Sequence, residues 1–225
     1  MYLLLVTIVP SIIILLFFMY SDRFREPRKS ILKVFIYGCL ICIPAFFANT
    51  ILDSFWFYQT KVPEELIGSF LAPAFVEEAL KFSVLYYVVY KMKDFNEPID
   101  GIVYGVTVSL GFATLENIYY VFLVGYEDPL AVAYLRAFSA IPGHALDGVF
   151  MGYFFMRYVY VRKRNNLMLT FLVPYFLHAY YNYFAVINYK LMYLELVIGW
   201  AIALILFKNL KSDQKLKKEE YEKKF

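Results

Sequence analysis

Seven long, nearly charge-free runs constrain this chain more than any other feature. A stretch of about 20 predominantly apolar residues spans the hydrocarbon core of a bilayer as a helix. The runs cover approximately residues 2–20, 31–52, 66–90, 102–126, 131–156, 167–188 and 191–207. The chain is 61% hydrophobic and 21% aromatic, against about 45–50% apolar for a soluble domain. We therefore expect an all-α polytopic membrane protein, a bundle of about seven transmembrane helices. Residues 1–207 form its single membrane domain and 208–225 a charged cytoplasmic tail. The first run lacks a basic leading segment and a small-residue cleavage site, so it reads as a retained helix rather than a signal peptide.

Basic residues in short loops set orientation. Arg23, Arg25, Arg28 and Lys29 follow the first run, Lys91 and Lys93 the third, and Arg162, Lys163 and Arg164 the fifth, while the tail is rich in lysine. The alternate loops are poor in positive charge: Lys61 stands beside Asp53, Glu64 and Glu65, and Lys190 stands alone. The pattern predicts an outside N-terminus, a cytoplasmic C-terminus and a multi-pass protein of the cell membrane. The net charge of +3 then reflects topology. Nucleic acid is not an expected partner, because the basic residues form no groove with aromatic platforms. Cys39 and Cys42 are spaced C-x-x-C inside an apolar run. Two cysteines cannot complete a structural zinc site, so we read them as small packing residues.

The runs are not uniformly apolar. The third carries Glu77, Glu78 and Lys81, the fourth Glu116 and Asn117, the fifth Arg136, His144 and Asp147, and the sixth His178 and Asn182. Each charged group costs roughly 2.5–3.5 kcal/mol at a helix centre on insertion scales. At 1.5 Å per residue, Glu77, Glu116, His144 and His178 lie roughly 17, 15, 20 and 15 Å below the outer ends of their spans. Two of these spans run inward and two outward, so the common level is not built into the count. Glu77 and Lys81 sit at i, i+4 in the favourable order for an ion pair, and membrane histidines also serve as glue between helices. Packing alone is a poor account of three glutamates and two histidines at one depth.

Pro73 and Pro174 each precede a site residue by four positions, and Pro142-Gly143 directly precede His144. Proline kinks a helix, and freed backbone groups in a membrane are tolerated beside protein or a water-filled cavity. These coincidences predict a hydrated cavity. Gly101, Gly105 and Ser109 recur every four residues, as do Gly148 and Gly152. Such small faces permit close helix approach.

Two functions fit such an inventory. Chains of Asp, Glu and His relay protons in transporters and channels. Alternatively, a hydrolase needs a base to activate water, a proton donor for the leaving amine and donors for the oxyanion. No HExxH motif is present, which disfavours a zincin.

More specific are Glu77-Glu78-Ala79-Leu80-Lys81, the stretch DGIVYGVTVSLGFATLENIYY from Asp100 to Tyr120, His144, and His178-x-x-x-Asn182. In order and spacing they resemble the PrsW family of intramembrane proteases, over nearly the whole chain. That family is similar to the CAAX prenyl endopeptidases, which are glutamic-type membrane proteases. The resemblance implies a single-pass membrane protein as substrate, typically an anti-sigma factor cut near its outer face. It implies that Glu77 is the leading candidate for the base that activates water, with Glu78 beside it. Phe112-x-x-x-Glu116 matches a motif that ends in histidine in the prenyl endopeptidases, so which group shares the water stays open. His178 and Asn182 correspond to an oxyanion pair and His144 to a general acid. Lys81, Asn117 and Asp147 are supporting residues. Glutamate and histidine are also good metal ligands, but we expect neither a metal nor another cofactor.

Overall fold

The computed structural model describes residues 1–59 and 68–222. Eight α-helices follow one another in this part of the chain: α1 (Tyr2–Ser21), α2 (Arg28–Gln59), α3 (Phe75–Tyr87), α4 (Pro98–Phe122), α5 (Pro129–Phe138), α6 (Ala140–Tyr160), α7 (Asn165–Ile187) and α8 (Tyr189–Glu222). A π-helical turn, Phe70–Ala74, leads into α3, and a 3-10 turn, Val89–Lys91, follows it. The described residues include no strand, and the chain is an all-α polytopic membrane protein. Tyr2–Ser21, Arg28–Leu52, Pro98–Phe122 and Tyr189–Ser212 are long and apolar enough to cross a membrane. The loop residues Lys61, Glu64 and Glu65, and position 66 where the third run begins, lie outside the described residues.

Helix α4 is the axis of the bundle. Its residues are buried from Ile99 to Thr114, whereas α1, α2 and α8 turn many large apolar side chains outward. A helix apolar on all sides belongs in such a central position. Glycine brings its neighbours close. A Cβ on Gly101 would lie 2.5 Å from the Gly152 carbonyl oxygen, and one on Gly105 would lie 2.3 Å from that of Gly148. The two small faces legible in the sequence therefore meet each other, joining α4 to α6. A second close approach, Gly38 on α2 against Gly111 on α4, has no repeated spacing to announce it.

One end of the bundle gathers the basic loops. Glu97 and Asp100 form a capping box at the start of α4, where Asp100 Oδ2 accepts from the Glu97 and Asn96 amides at 2.6 and 2.8 Å. Ser30 on α2 donates to Asp94 in the loop ahead of α4, and Tyr160 Oη donates to the Phe95 carbonyl at 3.3 Å. Tyr104 Oη donates to Glu26 Oε2 at 2.5 Å. Burial raises the Glu26 carboxyl above its ordinary pKa, and that hydrogen bond opposes the shift only in part. Helix α8 does not stop where the last apolar run ends, at Phe207, but continues into the charged tail as far as Glu222. Gln214 on it donates to Asp22 Oδ1 and Glu97 Oε2 at 3.0 and 2.7 Å. At the opposite end, the Tyr2 and Tyr134 hydroxyls bond each other.

Two spans differ from expectation. The run 131–156 is not one helix: α5 ends at Phe138 and α6 begins at Ala140, with Ser139 at φ −131° and ψ −71° between them. Pro142 therefore sits in the first turn of α6, where its missing N–H forfeits no helical bond, and the break precedes the proline. The run 66–90 is largely a short helix of 13 residues set behind the π turn that contains Pro73.

Candidate active site

The site forms where α3, α4, α6 and α7 meet. The first turn of α3 presents Glu77 and Glu78, followed by Lys81 a turn later, and all three are buried. The π turn ahead of them carries Pro73, a local widening of the kind often found at functional sites. Helix α4 contributes Glu116, α6 contributes His144 and Asp147, and α7 contributes His178 and Asn182.

A continuous line of hydrogen bonds joins the buried groups. His178 Nδ1 lies 2.7 Å from Glu78 Oε1, which also accepts from Lys81 Nζ at 2.7 Å. Lys81 Nζ lies 3.0 Å from His144 Nδ1, and His144 Nε2 lies 2.9 Å from Glu116 Oε2. Arg136 donates to Glu116 Oε2 at 2.5 Å and to Asn117 Oδ1 at 2.6 Å. Lysine offers only donors and a carboxylate only acceptors. His144 therefore accepts at Nδ1 and carries its proton on Nε2, whereas His178 carries its proton on Nδ1. The opposite tautomers leave His178 Nε2 facing Glu77 Oε2 at 3.8 Å.

The two adjacent glutamates are not equivalent. Glu78 is fully buried and its Oε1 is doubly engaged. Glu77 lines a cavity of about 1010 Å³. Its Oε1 accepts from Asn49 Nδ2 at 3.3 Å, while Oε2 has no hydrogen-bond partner. A gap of 3.8 Å between polar atoms suits a bridging water. The cavity runs from His144, Asp147 and His178 past Tyr120 and Leu123 to Tyr126, toward the end of the bundle opposite the basic loops.

All the predicted site residues converge, though not always as expected. Lys81 pairs with Glu78 at i, i+3 and not with Glu77 at i, i+4, because the Glu78 carboxylate is turned into the cluster between Lys81 and His178. Asn182 lines the cavity one turn beyond His178 but does not bond it. Asn117 is a clamp: its Nδ2 donates to the Thr7 carbonyl at 3.2 Å while its Oδ1 holds Arg136, so it ties α1, α4 and α5 together. Asp147 Oδ2 stands 3.9 Å from His178 Nδ1. Two contributors, Asn49 and Glu195, escape sequence reasoning, and Arg136, counted there among the intramembrane charges, has no role assigned to it. Arg136 caps the hydrogen-bonded line and lies 4.1 Å from the Tyr120 ring centroid. Asn49 reaches Glu77 from α2. Glu195 of α8 faces the same cavity with a buried, unpartnered Oε2, and its signal was an acid inside the last apolar run.

The donor set also fits a divalent metal ion. Glu78, His144, Asp147 and His178 bring ligand atoms within 4.8 Å of one another, and so do Glu77, Glu116 and His144. Two imidazoles with carboxylates suit zinc and similar ions. Buried Oε2 atoms on both Glu77 and Glu78 lack any hydrogen-bond donor, a deficit that a bound cation would relieve. The Lys81 ammonium supplies positive charge on one side of this set.

Comparison with known proteins bears on the same residues. The family model described as PrsW family intramembrane metalloprotease matches residues 26–208. The chain is 36% identical over 179 residues to Protease PrsW of Geobacillus kaustophilus, covering 78% of this chain and 76% of the relative. It is 36% identical over 180 residues to Protease PrsW of Bacillus subtilis, covering 78% and 79%. With Protease PrsW of Clostridioides difficile it shares 31% identity over 209 residues, covering 89% and 87%. No solved structure matches the chain.

Proposed function

The chain belongs to the PrsW family of intramembrane proteases, and from that premise we propose that it cleaves a single-pass membrane protein with water activated by Glu77. The observation that carries this reading is the Glu77 carboxylate, with one oxygen held by Asn49 and the other unpartnered on the wall of a large cavity. A general base needs an acceptor within reach of water. Glu78 also has an unpartnered Oε2, but it is fully buried and does not line the cavity, and its Oε1 holds Lys81 and orients the His178 imidazole.

The remaining roles follow from position. Water between Glu77 Oε2 and His178 Nε2 gives its proton to Glu77 as its oxygen attacks the scissile carbonyl. The Asn182 amide, which lines the cavity one turn from His178, donates to the oxyanion. His144, held by Lys81 at Nδ1 and Glu116 at Nε2, gives its Nε2 proton to the leaving amine as Lys81 passes one to Nδ1. Lys81 and Glu77 then recover their starting states by proton exchange with water. A divalent ion would be held by Glu78, His144, Asp147 and His178. When bound, such an ion polarises a carbonyl and acidifies water.

The substrate we propose is an anti-sigma factor cut near the outer face of the cell membrane. The cavity's extension away from the basic loops supports a cut on that side. The test is Glu77→Gln in purified protein with such a substrate in proteoliposomes. The amide keeps the shape but cannot take a proton, so cleavage should vanish while melting stays near wild type. Wild-type turnover would remove Glu77 from the mechanism. A chelator arm reports separately on the ion: cleavage that survives assigns activation to the side chains alone, and loss that added zinc restores assigns a part to the metal.

A further inference from the structure

A second cavity, of about 450 Å³, opens at the end of the bundle that carries the basic loops. Its walls are the first turns of α2 and the 3-10 turn after α3, joined by the hydrogen bond from Ser30 to Asp94. Lys33 enters from α2, Lys91 from the turn and Lys93 from the loop just beyond it. The described residues offer these three lysines no carboxylate within ion-pair distance. Three ammonium groups thus face one aspartate, whose Oδ2 already accepts from Ser30.

The position is that of a membrane boundary. Tyr37 lies one turn beyond Lys33 on the same face of α2, and Tyr87 ends α3 just ahead of Lys91. Both line the cavity on its bilayer side and both are exposed, Tyr87 at 62%. Exposed tyrosine marks the headgroup level of membrane proteins. Leu40, a further turn along α2, is exposed where an acyl chain would pass. Basic pockets between transmembrane helices receive acidic headgroups, and the volume lies within the roughly 300–1,000 Å³ typical of ligand clefts.

From this arrangement we infer that the cavity binds the headgroup of an anionic glycerophospholipid. Lys33, Lys91 and Lys93 receive the phosphodiester. Asp94 accepts from a headgroup hydroxyl, which favours phosphatidylglycerol over headgroups that lack a donor. The acyl chains lie along α2 past Tyr37 and Leu40. An occupied pocket links the start of α2 to the end of α3, the helix that carries Glu77, Glu78 and Lys81. The site does not depend on the proteolytic reading.

The experiment is native mass spectrometry of the delipidated full chain with an equimolar mixture of phosphatidylglycerol and phosphatidylcholine. The wild type should retain phosphatidylglycerol preferentially, and its melting temperature should rise with that lipid and not with phosphatidylcholine. The Lys33→Gln/Lys91→Gln/Lys93→Gln variant should lose both effects. The corresponding triple arginine variant should keep them, as should Arg162→Gln/Lys163→Gln/Arg164→Gln, which removes equal charge elsewhere at the same end. Free glycerol 3-phosphate at the same concentration should neither bind nor displace lipid. Equal retention of the two lipids by the wild type would overturn the proposal. So would an undiminished preference in the triple glutamine variant, or an equal loss in the variant altered at 162–164. Binding of free glycerol 3-phosphate as tight as that of the lipid would replace the lipid site with one for soluble phosphate.

Discussion

Glu78 Oε1 accepts from two nitrogens at the same distance, 2.7 Å: Lys81 Nζ from its own helix and His178 Nδ1 from α7. One buried oxygen thereby sets the tautomer of one histidine, while the same lysine sets that of the other through His144 Nδ1. The balance of charge around Glu78 holds this part of the site together.

Removing one partner from such a pair exposes the cost of the other. Lys81→Met leaves Glu78 buried with no cation of its own helix, and loss of one partner of a buried pair destabilises by about 3–5 kcal/mol. We expect a lowered melting temperature together with lost cleavage. The double variant Lys81→Met/Glu78→Met should recover much of the stability and none of the activity. Melting in detergent, read alongside a cleavage assay, separates the two. An unchanged melting temperature in Lys81→Met would make the pair incidental to the fold.

Arg136 acts through Glu116 and Asn117, which it bonds at 2.5 and 2.6 Å, and so positions His144 without touching it. Lysine is a point charge that cannot reproduce the planar fork. Arg136→Lys should lower kcat about 10–100-fold, the range seen when an outer hydrogen-bond partner of a working group is lost, with KM nearly constant. A change confined to KM would assign Arg136 to substrate binding instead.

The buried carboxyl of Glu26, among the basic loops, predicts a pH dependence. Burial raises the folded-state pKa of Glu26 above its unfolded value, the Asp22 and Asp94 charges add to the shift, and the hydrogen bonds with Tyr104 and Asp100 offset it only in part. Folding therefore favours the protonated carboxyl. The contribution is fully present below the unfolded pKa, near the model-peptide value of about 4.3, and is lost as pH rises through the folded one. Glu26→Gln mimics the protonated state at every pH, so it should flatten the fall in melting temperature as pH rises above the unfolded pKa. A fall as steep as in the wild type would place the titration on another carboxyl.

Much of this was legible in the sequence, and the failures have physical causes. Helix existence and the common depth of Glu77, Glu116, His144 and His178 follow from apolar run length and helical rise. The pairing of Gly101 and Gly105 with Gly152 and Gly148 follows from their spacing. The break at Ser139 was not legible, because hydropathy reports compatibility with lipid and not continuity of backbone hydrogen bonds. The choice of Glu78 over Glu77 by Lys81 depends on His178, a hundred residues away in sequence. Arg136 and Glu116 are likewise joined only once α5 folds back on α4. Asn49 carries no charge to mark it, and Glu195 was hidden by the apolar residues on both sides.

Asn182 gives the sharpest test of the cavity wall formed by α7. It lies one turn from His178, lines the cavity, and has no bond to that ring, so its amide is available to substrate. If it donates to the oxyanion, Asn182→Ala should lower turnover by about 10²–10³ with little change in binding, as for other oxyanion donors. Asn182→Leu keeps the bulk but removes the donor, and should retain almost no activity. Asn182→Asp should retain part of it with the optimum moved to lower pH, since an ionised carboxylate repels the oxyanion and only the protonated form donates. These variants are compared by kcat and KM over a pH series on one substrate. Wild-type turnover in Asn182→Leu would reduce the residue to cavity lining and transfer the oxyanion to another donor on that wall.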